Sequence, residues 1–417
     1  MRVLLVTQYF WPENFRINDL AERLTARGHQ VSVLTGKPNY PSGNVFPEFR
    51  ASPGDFADYH GARVYRVPML ARGSGSVRLA LNYVSFALGA LLFGPDRPSG
   101  QRFDAILVFQ PSPITVGVPA VWLGRLKRAP VMFWVQDLWP ETLAAVNAVR
   151  SRWILDAIGA LARFIYKRCA LVLGQSRGMV DKLAAYCDDR TKIRYFPNWA
   201  EDAPAPEDVQ PAAEISDGNG TFDVLFAGNI GDAQDFPAVL DAMAKLRDRA
   251  DIRWILVGDG RRSDWVRAEV ERRGLSSRVI MPGRFPVERM PSFYARADAL
   301  LVSLRADPVF SLTVPSKVQS YLMAGIPILG MLDGEGAAII RDAEAGIACA
   351  AGDSAGLANA VIEMASMPPA RRTELAENGR QYARSEFGQD ILIDRFEGWL
   401  AEVARRGAAS SERGPTP

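Results

Sequence analysis

The stretch Leu300–Gly330, LLVSLRADPVFSLTVPSKVQSYLMAGIPILG, holds the residues whose types and spacing most directly suggest chemistry. An apolar run, Ala299–Val302, reads as a short buried parallel strand. A loop with Arg305 and Asp307 follows, and Thr313–Ser316 starts a helix whose first turn needs no N–H from Pro315. Lys317 falls in that first turn, Gly325 and Pro327 end the helix, and Ile326–Leu329 reads as the next strand. Open N–H groups, the positive end of a helix dipole and two fixed cations are what a phosphate group requires. The plain alternative is a βαβ unit whose Arg305 and Lys317 are solvated.

Five other strand-to-loop junctions carry candidate chemistry. Trp11–Arg16, WPENFR, supplies Asn14 and Arg16, with helix capping as the alternative role of Asn14. Phe133–Glu141, FWVQDLWPE, delivers Gln136, Asp137 and Glu141 beside Trp134 and Trp139. A carboxylate against aromatic surface is a candidate general base, because desolvation raises its pKa; Asp137 as a simple turn cap is the alternative. In Phe226–Phe236, FAGNIGDAQDF, a strand meets Gly228, Asn229 and Gly231, where backbone N–H groups can approach an anion, although Asp232 and Asp235 argue against dense phosphate charge there. Val257–Arg262 brings Gly258 and Asp259, and Pro282–Pro286 brings Gly283, Arg284 and Phe285, where a nucleotide base could stack; both are otherwise ordinary turns.

These junctions need a scaffold of parallel strands. Arg2–Thr7, a helix over Asn14–Arg27 and Gln30–Thr35 open the chain as a βαβ unit. Further strands are expected at 62–68, 104–110, 130–136, 170–174 and 192–196. A second series follows at 222–227, 252–257, 279–281, 298–303 and 346–349, with helices between. The Pro-rich stretch 197–220 reads as a linker and an exposed loop. The chain thus reads as two successive doubly wound α/β halves facing across a cleft, with ligands beyond the carboxyl ends of the strands. The Gly-, Ser- and Pro-rich tail, 407–417, is expected to be disordered.

Net charge is +2, but residues 1–200 hold 25 Lys/Arg against 14 Asp/Glu, and the remainder 24 against 33. The basic half suggests an anionic partner such as a membrane surface. Val77–Gly94 is shorter than the roughly 20 residues that cross a bilayer, so it is a core helix or one lying in a membrane interface. Three scattered cysteines and two histidines make neither a disulfide framework nor a metal motif, which points to a reducing compartment. The N-terminus opens directly on a strand, so no signal peptide is expected.

The stretches QYFWPENFRINDL, RGHQVSVLTGKPNYPSG, QPSPITVGVPA, FWVQDLWPE, RFIYKRC, YFPNWAE, FAGNIGDAQDF, VGDGRR and PSKVQSYLMAG, in this order, resemble glycosyltransferase family 4 of the GT-B type. Within it they are most similar to the WbuB-type L-fucosamine (N-acetyl-L-fucosaminyl) transferases of surface-polysaccharide assembly.

The resemblance implies an acceptor-binding domain over 1–198, onto which a C-terminal helix at 386–406 packs back, and a nucleotide-sugar-binding domain over 199–385. It implies a retaining, metal-independent transfer from a UDP-sugar to a polyprenyl-diphosphate-linked saccharide, at the inner face of the bacterial cytoplasmic membrane and without nucleic acid. Domain closure would exclude water. The family's Arg and Lys for the diphosphate fall here at Asn229 and Asp235, its Glu-x7-Glu pair at Leu312 and Ser320, and its His at Gln136. Arg305, Lys317 and Asp137 therefore take the catalytic roles, with Arg16 and the amides of Gly228–Gly231 also facing the diphosphate. Gly228, Asn229, Gly231, Gly258, Asp259, Gly283, Arg284, Phe285, Thr313, Ser316, Lys317 and Glu335 are assigned to the donor, and Asn14, Arg16, Asn39, Tyr40, Trp139 and Glu141 to the acceptor. The rivals are a UDP-sugar 2-epimerase of similar architecture, disfavoured by the poverty in His and the apolar helix, and a non-catalytic nucleotide-sugar-binding protein.

Overall fold

Val3–Val6, Val131–Val135 and Phe222–Ala227 are buried along their whole length, as parallel strands covered on both faces must be. The computed structural model describes every residue except 74, 98–99, 146–148, 219 and 413–417. The chain divides into one unit of Met1–Pro197 with Leu392–Pro417 and another of Asn198–Ile391.

The first unit holds β1 (Arg2–Val6), β2 (Gln30–Thr35), β3 (Asp58–Tyr59), β4 (Ala62–Arg66), β5 (Ala105–Gln110), β6 (Val131–Val135), β7 (Leu171–Gly174) and β8 (Ile193–Tyr195). Their order is β3-β4-β2-β1-β5-β6-β7-β8, parallel throughout except at the short β3–β4 hairpin. The second holds β9 (Phe222–Ala227), β10 (Ile252–Val257), β11 (Val279–Gly283), β12 (Ala299–Ser303), β13 (Ile328–Met331) and β14 (Gly346–Cys349), ordered β11-β10-β9-β12-β13-β14 and all parallel. Each sheet grows outward from its first strand and then reverses, so the switch points lie between β1 and β5 and between β9 and β12. Loops at the carboxyl ends of such strands are where doubly wound sheets take their ligands.

In the second unit Phe226, Trp254 and Leu256 pack on one face of the sheet, and Leu225, Ile255 and Val302 on the other. The alternation follows from the two-residue period of a strand. It leaves the strand ends, not their faces, free for chemistry.

Several expectations are corrected. The helix after β12 runs Ser316–Ala324, so Pro315 precedes its first turn, and β13 starts two residues later than the apolar run suggests. A helix at Gly334–Asp342 lies between β13 and β14, where the sequence reading placed no element. Asn14 is exposed and caps nothing, since Phe15 holds the cap position of the Arg16–Ala26 helix. The stretch after Pro197 is mostly exposed, as expected, but it is pinned where Ala212 and Ile215 are buried in the second unit's core. The last helix runs Gln389–Glu412, beyond the expected end at 406; 413–417 lie outside the described residues.

Candidate active site

The carboxyl ends of β9, β10 and β11 and the helix Ser316–Ala324 line a cavity of about 1130 Å³ in the second unit. The helix is seated by Tyr321, whose hydroxyl accepts the Ala227 N–H (3.0 Å) and donates to the Ala227 carbonyl (3.2 Å). That anchor brings the first turn of the helix onto the end of β9. Lys317 consequently lies with Nζ 3.5 Å from the centre of the Phe226 ring, a cation–π contact. Its ammonium is out of solvent and has no hydrogen-bond partner. Burial pulls its pKa from 10.5 down to about 7.

Gly228 lets Lys317 pass: with φ at +135°, a Cβ there would stand 2.6 Å from Lys317 Cε. The adjoining Gly258, at φ +137°, has its α-carbon pressed against the Gly228 carbonyl, where a Cβ would overlap the oxygen. Both lie in backbone territory that favours glycine. The Gly228 N–H donates to the Val257 carbonyl (2.9 Å), the Ile230 N–H to the Asp259 carbonyl (2.9 Å) and the Gly231 N–H to Gln234 Oε1 (3.1 Å). The expectation that the Gly228–Gly231 amides collectively face an anion is therefore corrected: three of them hold the loop together. Positive charge at this wall comes from Lys317 and from the open first turn of the Ser316 helix, which has no side-chain cap.

Of the residues assigned to the donor, Gly228, Asn229, Gly258, Asp259, Arg284, Phe285, Ser316 and Lys317 line this cavity. Phe285 is half-buried against Phe293 (ring centres 4.6 Å apart), and exposed Arg284 stands beside it. Gly231, Gly283, Thr313 and Glu335 do not line it; Thr313 Oγ1 donates to the Phe310 carbonyl, and Glu335 sits in the first turn of the Gly334–Asp342 helix. Arg305 is also absent from the lining. It is exposed, pairs with Asp307 (3.6 Å) and lies over the Phe310 ring (5.6 Å), so the expected pair of cations is reduced to Lys317. Gln234, Met290 and Tyr294 also line the cavity, although nothing local in the sequence marks them.

The first unit presents its own polar groups at strand ends. Asp137 follows β6, and burial alone raises its carboxyl from 3.8 to about 7. The preceding Gln136 is fixed through its N–H to the Gln110 carbonyl (3.1 Å) and its carbonyl to Gln175 Nε2 (2.6 Å). Trp139 is buried, edge-on to Tyr83. Glu141 Oε1 accepts the Tyr186 hydroxyl (2.7 Å), which gives it a structural task. Asn39 is wholly buried and occupied internally: Nδ2 donates to the Lys37 carbonyl and Oδ1 accepts the Arg72 N–H (2.7 Å each). Tyr40 keeps an exposed edge, and Arg16 pairs with Asp19 (3.4 Å). Glu13, one residue before Asn14 and outside the expected set, is buried and accepts three backbone N–H groups.

Helix Ser76–Phe93 is apolar on both sides, with Phe86 and Ala90 fully buried. Its polar stripe faces inward, with Asn82 Oδ1 accepting from Gln8 Nε2 (2.7 Å) and Ser85 Oγ accepting the Leu70 N–H (2.9 Å). Val77, Leu81, Val84, Leu88 and Leu92 form the outward stripe and are about half or more exposed. The neighbouring helix Gly117–Lys127 adds exposed Trp122 and Leu126. Among the described residues no helix is long and apolar enough to cross a membrane.

Residues 14–199 match the glycosyl transferase 4-like domain family, and residues 221–367 match the glycosyl transferases group 1 family. WcaI of Escherichia coli K12, named as a colanic acid biosynthesis glycosyl transferase, is 25% identical over 345 residues, spanning 78% of this chain and 82% of its own. A glycogen synthase of Mycobacterium tuberculosis is 24% identical over 439 residues, spanning 100% and 97%. Anabaena HepE, solved in complex with UDP, superposes with a TM-score of 0.67 at 16% identity, covering 96% of this chain and 100% of its own. With two doubly wound domains in one chain and a family match to each, the protein belongs to the GT-B glycosyltransferases, a glycosyl transferase 4-like domain followed by a group 1 domain.

Proposed function

We propose that this glycosyltransferase moves an N-acetylaminosugar, L-FucNAc by its sequence resemblance, from a UDP-sugar to a polyprenyl-diphosphate-linked saccharide, with retention and without a metal ion, in bacterial surface-polysaccharide assembly. The observation that carries the reading is the unpartnered, buried ammonium of Lys317 at the switch point of the second sheet. The UDP complex of HepE and the naming of WcaI support the donor class and the biosynthetic setting.

In this reading the bond between the anomeric carbon and the β-phosphate oxygen breaks, and negative charge gathers on the departing diphosphate. Lys317 and the first turn of its helix stabilise that charge more than they stabilise the bound donor, which is what lowers a barrier. The uracil lies along Arg284 and Phe285. An acceptor hydroxyl bonds to the same face of the sugar, and its proton passes to the leaving phosphate oxygen. Asp137 orients the acceptor or stabilises positive charge at the reacting carbon.

The exposed apolar stripe of Ser76–Phe93, with Trp122, Leu126 and the exposed Arg78, Arg125 and Arg128, supports docking on an anionic membrane surface at the cytoplasmic face. Incubation with UDP-sugars and membrane lipid extract tests the reaction: sugar incorporated into lipid supports it, while an isomerised free nucleotide sugar or binding without turnover contradicts it. Sedimentation with anionic vesicles tests the docking, which Leu81→Glu with Leu88→Glu should abolish.

A further inference from the structure

We infer that Glu13 is a positioning residue for the acceptor: its carboxylate ties the loop after β1 to the Asn39–Tyr40 turn after β2, and so fixes Tyr40 and Arg72 at the carboxyl end of the first sheet. The inference rests on the transfer reading above and adds to it the part of the site that holds the acceptor.

Glu13 is 3% exposed. Oε1 accepts the N–H groups of Asn39 (2.7 Å) and Tyr40 (2.6 Å), and Oε2 accepts that of Phe10 (3.1 Å). One carboxylate thus joins two loops 26 residues apart in the chain. Arg66 bridges the same loops, donating to the Gly36 carbonyl (2.8 Å) and the Trp11 carbonyl; burial raises the Glu13 carboxyl from 4.5 to about 7, and the three N–H groups and the Arg66 charge hold it from rising further. A third loop is drawn in when the Arg72 N–H donates to Asn39 Oδ1. The Arg72 guanidinium then lies over the Tyr40 ring (5.3 Å), which packs against Tyr9 and Phe15 (5.3 Å each).

Burying a carboxylate is unfavourable unless its oxygens are well satisfied, and here the partners are all backbone amides of loops. What the arrangement presents outward is an aromatic edge beside a half-buried guanidinium. An apolar ring surface next to a cation suits a pyranose carried on a diphosphate. Glu13 touches none of this ligand, and acts through the turn it holds.

The test combines amide hydrogen exchange with steady-state kinetics on Glu13→Gln and Glu13→Asp. Gln is isosteric but turns an NH2 toward N–H donors; Asp keeps the charge and is one methylene short. In Glu13→Gln the Asn39 and Tyr40 amides should exchange at least about tenfold faster, and acceptor KM should rise about tenfold, as expected for losing hydrogen bonds to a charge. UDP affinity and donor KM should stay within about twofold, and Glu13→Asp should fall between, as its charge is retained. Unchanged exchange, faster exchange with unaltered acceptor KM, or equal losses for donor and acceptor would each overturn the inference. A wild-type protein that transfers no sugar sinks the transfer reading and the acceptor role with it, while the exchange data still decide whether Glu13 holds the turn.

Discussion

Replacing Lys317 with Met should make the ligand-free protein more stable while removing its hold on the donor. Burial lowers the Lys317 pKa from 10.5 to about 7, and at about 1.4 kcal/mol per pH unit this sets a ceiling of about 5 kcal/mol on the unfavourable burial of its charge. The unfolded chain binds this proton more tightly than the folded one. The penalty is therefore full below pH 7, and stability rises with pH between 7 and 10.5. Met keeps contact with the Phe226 ring and carries no charge. Water in the cavity softens the penalty, and the lost cation–π contact removes about 1 kcal/mol, leaving an expected gain of about 1–3 kcal/mol at pH 7. For a domain of this size each kcal/mol corresponds to about 2–4 °C in melting temperature. Turnover should fall by about 10²–10³, the usual effect of deleting one preorganised charge-stabilising group. UDP should raise the melting temperature of the wild type and leave that of the variant unmoved. Calorimetric melts at pH 7 and pH 9, with and without UDP, measure all of this. A variant less stable than wild type at pH 7, or one that binds UDP as tightly, would refute the reasoning.

Gly228→Ala should cost about 1–3 kcal/mol of stability through its backbone conformation and lower kcat alongside Lys317→Met, because the new methyl group displaces the Lys317 side chain; melts and initial rates check it. Asp137→Asn should lower kcat more than UDP affinity. Because the folded state holds the Asp137 proton more tightly, stability falls as pH rises from 3.8 to 7, so the Asn variant should melt higher than wild type at pH 8. Arg305→Ala should leave UDP affinity within about twofold, since that side chain is exposed and already paired with Asp307; calorimetric titration decides it.

The parallel strands were legible because a strand buried on both faces is written as an uninterrupted apolar run, as in β5 and β6. The glycine junctions after β9, β10 and β11 were legible too, and six of their assigned residues meet Ser316 and Lys317 around one cavity. The separation of Arg305 from Lys317 was not, because sequence spacing sets the two near one helix start without saying which way each side chain turns. Asp307, two residues on, and Phe310 draw Arg305 outward. The seat of Lys317 depends on Tyr321 and Ala227, 94 residues apart, a relation no local pattern displays. Asn39 looked like a ligand-facing loop residue, whereas its amide serves the loop itself.

Electron density for a UDP-sugar bound to the full chain tests the central claim most directly. The account places a β-phosphate oxygen about 3 Å from Lys317 Nζ, with the uracil against Phe285. A diphosphate bound elsewhere, with the ammonium still resting on the Phe226 ring and unpaired, would contradict it.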